Sequence, residues 1–128
     1  MADLFQIGLS NVDAQPDSTI RQRRRKFEKK KKRQLAAVDV NLATYFRALE
    51  FANPLQIKHG FVHPEPLGIV AIDQSGGGHG KLAETRLYVY PDTETQLLHL
   101  ITIGDKNTQA EDIQFAKDYR TQKDQGTE

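Results

Sequence analysis

The chain has 128 residues, 38% of them hydrophobic and 27% charged, enough for one folded domain with a single core and too few for two. It contains no cysteine, which excludes disulfides and thiolate chemistry and would leave zinc only His and carboxylate ligands; no metal or other cofactor is expected. No apolar run approaches the ~20 residues of a membrane span. The start, MADLFQIGLSNVDAQ, lacks the basic opening and long apolar core of a signal peptide, so a cytoplasmic location and no membrane partner are expected.

A net charge of +1 hides a strong asymmetry. Residues 21–33, RQRRRKFEKKKKR, hold ten of the 18 basic residues and a single acid, Glu28; the rest keeps 8 basic against 16 acidic residues, a net of about −8. A concentrated cationic segment on an acidic body is the footprint of a chain that meets phosphates or an acidic partner.

In chain order, Leu4–Leu9 reads as a short first strand and 10–17 as loop, rich in Asn, Asp, Gln and Pro. Asp17 or Ser18 offers a helix cap. Apolar positions are sparse from Ile20 to Leu35, then regular at Leu35, Val38, Leu42, Tyr45, Phe46 and Leu49, the spacing of one helix face. Residues 18–52 therefore form one long helix, or a pair broken near Val38–Asn41 with Asp39 as the second cap. Asn53-Pro54 ends it, because the residue before proline is pushed out of the helical region.

Beyond that point the period changes to two. Ile57–Val62, Gly68–Ile72, Arg86–Tyr90 and Leu97–Ile103 read as strands, with Pro64 and Pro66 interrupting the first connection and 91–95 joining the last two as a hairpin. Thr108 and Glu111 fit a capping box, opening a helix over 108–120 with Ile113, Ala116 and Tyr119 inward. Residues 121–128 read as a flexible tail. The expected architecture is α+β: the helices, an N-terminal helix or helical pair and the C-terminal helix, pack on one face of a small curved, mainly antiparallel sheet (57–103), in a single domain over 1–120.

Several residues carry chemistry, each with a plainer alternative. Arg21, Arg23, Arg24, Arg25, Lys26, Lys29, Lys30, Lys31, Lys32 and Arg33 form a phosphate-tracking helix, or else an acidic-partner surface or a solvated face. Phe27 is the one aromatic among them, which argues against base stacking by this segment. His59, His63, His79 and His99 have no metal spacing; His63 and His79, in loops beside the sheet, are candidates for general acid or base. The loop Gly76–Lys81 lacks the Gly-Lys-Ser/Thr ending of a phosphate loop, so it reads as a hairpin connection from which Lys81 can reach RNA. Period two puts Arg86, Tyr88 and Tyr90 on one side of their strand and Leu87 and Val89 on the other.

The run Glu84–Arg120 resembles the C-terminal half of RelE/HigB-type toxins, ribosome-directed endoribonucleases of bacterial toxin-antitoxin pairs. The resemblance rests on Gly104, Asp105, Lys106, Thr108, Gln109, Asp112 and Ile113, and on the strand Thr85-Arg86-Leu87-Tyr88-Val89-Tyr90. It implies a helical pair, a curved sheet and a C-terminal helix, with Arg86 on the RNA-facing side, where a guanidinium grips phosphate oxygens with paired hydrogen bonds. It further implies metal-independent attack of a ribose 2′-hydroxyl on the adjacent phosphate. In that chemistry Arg86 and Lys106 hold the phosphate and His63 or Tyr90 moves protons. The implied partners are ribosome, mRNA and a cognate antitoxin. Relatives of that fold include gyrase poisons without nuclease activity, so a gyrase-directed toxin or a non-catalytic binding module stands beside the nuclease.

Overall fold

The computed structural model describes residues 6–9, 20–74 and 85–125, with only the backbone described for 6–9 and 123–125. The expected loops at 10–17 and 75–80, the cap at Asp17 or Ser18, and Lys81 and His79 lie outside these residues.

Among the described residues, five strands form one sheet: β1 (Gln6–Leu9), β2 (Val62–Pro64), β3 (Val70–Asp73), β4 (Arg86–Asp92) and β5 (Leu97–Gly104). Their order is β1-β5-β4-β3-β2. β2 to β5 are antiparallel neighbours, and β1 joins the edge parallel to β5. The short edge strand β2 ends in Pro64, which blunts the sheet edge as edge prolines do. The described residues also form three α-helices: α1 (Ile20–Lys30), α2 (Lys32–Ala48) and α3 (Gln109–Gln125). The class is α+β, as expected.

The N-terminal helices are a pair, but the break lies at Lys31, well before Val38–Asn41. Lys31 has φ −137° and ψ 51°, outside the helical region. The run of like charges at 29–33 disfavours one continuous helix there. Asp39 lies inside α2, and its carboxylate takes two bonds from Arg24 instead of capping. α2 ends at Ala48; Asn53 then caps a separate single turn, Pro54–Gln56, by accepting from the Leu55 N–H.

The expected placement of all helices on one face is corrected. α1 and α2 cover one side through Ile20, Leu35, Val38, Leu42 and Tyr45, packed on Val70, Ile72, Leu87, Val89, Leu98 and Ile103. α3 covers the other side through Ala116, Ile113 and Tyr119, packed on Ile69, Ala71, Tyr88 and Ile101. The alternation along β4 is as expected, with Leu87 and Val89 under the helical pair and Tyr88 and Tyr90 under α3.

A β-bulge shapes β5. Tyr88 opposes Thr102 but Val89 opposes Leu100, so Ile101 is extra. The bulge resets the alternation: Leu98, Leu100 and Ile103 join one core although their numbers differ in parity, while Ile101 joins the other. Strict period two puts His99, Ile101 and Ile103 on one face, and the bulge removes Ile103 from that set.

Among the described residues, no helix is long and apolar enough to cross a membrane.

Candidate nucleic-acid interface and acid–base cluster

The inward face of α1 is built from residues three or four apart, Ile20, Arg23, Arg24, Phe27 and then Lys31, so it mixes apolar anchors with cations. Each inward cation meets an acid. Arg23 donates to Asp112 Oδ1 at 2.9 Å, Arg24 pairs both its terminal nitrogens with Asp39 at 2.8 and 2.7 Å, and Lys31 reaches Asp105 Oδ2 at 2.8 Å. The Arg24 guanidinium is pushed above its ordinary value by the hydrogen bond to Asp39.

These three pairs have a consequence for the other seven basic residues. Arg21, Arg25, Lys26, Lys29, Lys30, Lys32 and Arg33 are exposed, and none forms an ion pair with a described residue. The internal pairs hold the helices in place, and the remaining cations project outward around the break at Lys31. Ten candidate contacts thus divide into three structural cations and seven available ones. Such a ridge releases counterions when it meets a phosphate backbone.

The Gly-Asp-Lys-Asn-Thr segment after β5 is the anchor for that ridge. Asp105 Oδ1 accepts from the Asn107 N–H at 2.9 Å, and the Asp105 N–H donates to Thr108 Oγ1 at 3.2 Å, closing a single turn over Lys106–Thr108. The expected Thr108–Glu111 box gives way to this Asp105–Thr108 arrangement, because Thr108 Oγ1 is used by Asp112, donating to its Oδ2 at 2.6 Å. Asp112 is buried, and burial raises its pKa against the opposing pull of Thr108 and Arg23. Asp105 is held below the usual carboxylate range by its bond from Lys31. Gly104 is required here: a Cβ at this position would collide with the Asp112 carboxylate and with Thr108 Oγ1. α3 then continues to Gln125, so residues 121–125 of the expected tail are helical.

The opposite side of the sheet holds a second constellation. Asp73 and Arg86 are cross-strand partners, and Ala71, two residues back on the same face, is partnered by His63. His63 Nε2 lies 2.5 Å from Asp73 Oδ2, with the imidazole about one-third exposed and the carboxylate buried. Asn41 of α2 donates to the Asp73 carbonyl at 2.8 Å, tying the end of β3 to the helical pair. Arg86, only 15% exposed, reaches along the sheet to within 4.0 Å of Glu65. Beside them the Tyr88 hydroxyl is buried without a hydrogen-bond partner among the described residues and is pushed up to about 12, chiefly by burial. A histidine held by a buried carboxylate beside an arginine can move a proton and hold an anion.

Of the four expected catalytic residues, His63 and Arg86 are brought together, with Asp73 between them. Tyr90 is separated from them: its ring stacks on His99 with centroids 5.8 Å apart, and the Arg120 guanidinium lies 4.4 Å above it. His99 is nearly buried and meets the Tyr119 hydroxyl at 3.1 Å, so it belongs to the α3 packing. Lys106 is exposed on the turn after β5 and bonds none of the other described groups. Sequence reasoning missed Asp73, Glu65 and the pairing role of Asp112. A period-two reading of β3 that put Asp73 on the Ala71 face was the available signal for the first. No described group of three or more His, Asp or Glu residues is arranged to hold a metal ion.

Comparison of the chain with family models, with curated proteins and with solved structures yields no match.

Proposed function

We propose that this protein is a RelE/HigB-like toxin that docks on the ribosome through its basic helical ridge and cleaves mRNA without a metal. The observation that carries this reading is the ridge itself: seven exposed cations, free of ion pairs with described residues, displayed by helices that three other cations hold in place. In this proposal His63, oriented by Asp73, takes the proton of a ribose 2′-hydroxyl as that oxygen attacks the adjacent phosphorus. A 2′,3′-cyclic phosphate forms as the P–O5′ bond breaks, the 5′-oxygen leaves as a hydroxyl by taking a proton from water, and Arg86 balances the charge that develops on the non-bridging oxygens. A cognate antitoxin would silence the protein by covering the ridge.

The test is inducible expression in a bacterial host, with growth recorded and new mRNA 5′ ends mapped. His63→Gln and Arg86→Lys are predicted to lower cleavage by about 10²- to 10⁴-fold, the usual contribution of a positioned acid or base. Purified variants with an unchanged melting temperature tie that loss to chemistry.

A second reading, a non-catalytic binding module, is favoured by the way Arg86 turns onto Glu65 while Tyr90 lies beneath Arg120. Growth arrest that survives His63→Gln but is lost when the ridge is neutralised would select it. DNA damage with intact mRNA would instead point to a gyrase-directed toxin.

A further inference from the structure

Between α1 and the turn after β5 lies a cavity of about 250 Å³. Its volume falls just under the ~300–1,000 Å³ of ordinary small-ligand clefts, too small for a helix or a folded peptide. Phe27, half-buried, makes one wall, and Ile103 with Gly104 closes the floor. The Lys31 ammonium sits 5.7 Å from the Phe27 ring centroid and holds that ring from one side.

The charges around the cavity are arranged unevenly. Arg23 is matched by Asp112, and Asp105 by Lys31, so those walls are rigid and internally neutral. Lys26 stands exposed at the rim without an acidic partner among the described residues, and it continues into the cationic ridge. We propose that this cavity receives one unstacked nucleotide of a bound RNA strand, its base against Phe27 and its phosphate at Lys26. The inference rests on the RNA-binding reading of the ridge and goes beyond it by assigning a base-contacting site.

The lining selects a nucleotide over an acidic side chain. An aromatic wall rewards a partner with a π face, because a base stacks on it whatever its identity. Among the lining groups, the Asp105 carboxylate is already paired with Lys31 and leaves that cation unavailable to a second carboxylate, whereas the exocyclic amine of a base can donate to Asp105. The lone aromatic of the basic segment, which composition alone argues out of a stacking role, thereby acquires one from its position.

The chain contains no tryptophan, so Phe27→Trp places a single fluorescent reporter in the wall. This variant is titrated with a short single-stranded RNA and with an abasic strand of the same length and charge. The expected result is strong quenching by RNA, little by the abasic strand, and several-fold weaker abasic binding. Equal binding of both strands without quenching would overturn the cavity assignment while leaving the RNA-binding reading intact. Binding of neither would overturn both. Quenching by an acidic peptide and not by RNA would replace the nucleotide with a protein partner. In case the substitution perturbs folding, the unmodified chain is photocrosslinked to 4-thiouridine RNA and the adducts mapped. Adducts at Lys26–Phe27 are expected, and adducts confined to 29–33 would sink the proposal.

Discussion

The two faces of the sheet are finished in different ways. Under α1 and α2 lies the larger apolar cluster, and the charges at its margin are paired: Arg23 with Asp112, Arg24 with Asp39, Lys31 with Asp105. Under α3 the cluster is smaller, and the same face carries the buried Asp73 with its His63, the Arg86–Glu65 pair, His99 and an unpartnered Tyr88 hydroxyl. One face supplies most of the apolar burial; the other accumulates polar groups whose burial is costly. Folded chains keep such costly groups mainly where they act, so the contrast separates a scaffold side, whose outer ridge is proposed to dock RNA, from a candidate catalytic side.

The largest effect should come from breaking the clasp that joins the two faces. Asp112 sits on α3 yet receives Arg23 from α1, so Asp112→Ala strips Arg23 and Thr108 of their acceptor together. Removing one member of a buried pair costs about 3–5 kcal/mol, and the partial exposure of Arg23 moves the expectation to the lower end, about 3 kcal/mol. Urea denaturation would measure it. A loss under 1 kcal/mol would mean that α1 is held by its apolar residues alone.

The ridge should behave in the opposite sense. Alanine at Arg25, Lys29, Lys30, Lys32 and Arg33 is predicted to leave the melting temperature within about 2 °C while weakening RNA binding. Each lost phosphate contact lowers the slope of log affinity against log salt by about 0.7 for a single strand. Alanine at Arg24 or Lys31 should instead lower stability. If the two sets behaved alike, the division into structural and available cations would be wrong.

How far this contrast was readable from the chain depends on the element. The class, β3 to β5 and the inward face of α2 follow from apolar spacing, because packing on a sheet imposes periods of two and 3.6 that the residues must carry. The oligobasic segment was legible as charge, but not its split into ten residues of two kinds. That split depends on Asp39, Asp105 and Asp112, up to 89 positions away in sequence from the cations they bind. The bulge at Ile101 was hidden as well, since nothing local in Leu97–Gly104 marks an extra residue. The Asp73–His63–Arg86 group needed the register of β2, β3 and β4, which no single segment encodes.

Acidification offers a finer test, because the two anchoring acids are shifted in opposite directions. Asp105 is held below the ordinary carboxylate value of 3.8 by its bond from Lys31, so its contribution is fully present above 3.8 and is lost as pH falls through the folded value. Asp112 is raised by burial, so its ionised form carries a penalty above the folded value that is relieved as pH falls toward 3.8. Relative to Asp105→Asn, the unmodified chain should therefore lose stability on acidification from neutrality to about pH 3; relative to Asp112→Asn, it should gain. Melting temperatures recorded across that range for the three proteins decide it, and trends of the same sign would contradict the assigned shifts.

The smallest expected effect is the sharpest on the comparison itself. Tyr45 and Tyr88 both bury a hydroxyl without a hydrogen-bond partner among the described residues, one under the helical pair and one under α3, and burial pushes both up to about 12. Removing an unsatisfied buried hydroxyl while keeping the ring should change stability by about 0 to +1 kcal/mol, and equally for Tyr45→Phe and Tyr88→Phe. Function should part them. Besides burial, the Tyr88 hydroxyl feels Asp112, Arg86 and Glu65, whereas the rise at Tyr45 is due to burial alone. Tyr88→Phe is therefore predicted to lower RNA cleavage, or RNA binding if the protein is a non-catalytic module, by a few-fold, and Tyr45→Phe to leave it unchanged. Were both variants fully active and both more stable, the polar groups under α3 would be a cost of this packing and the working side would have to be sought elsewhere.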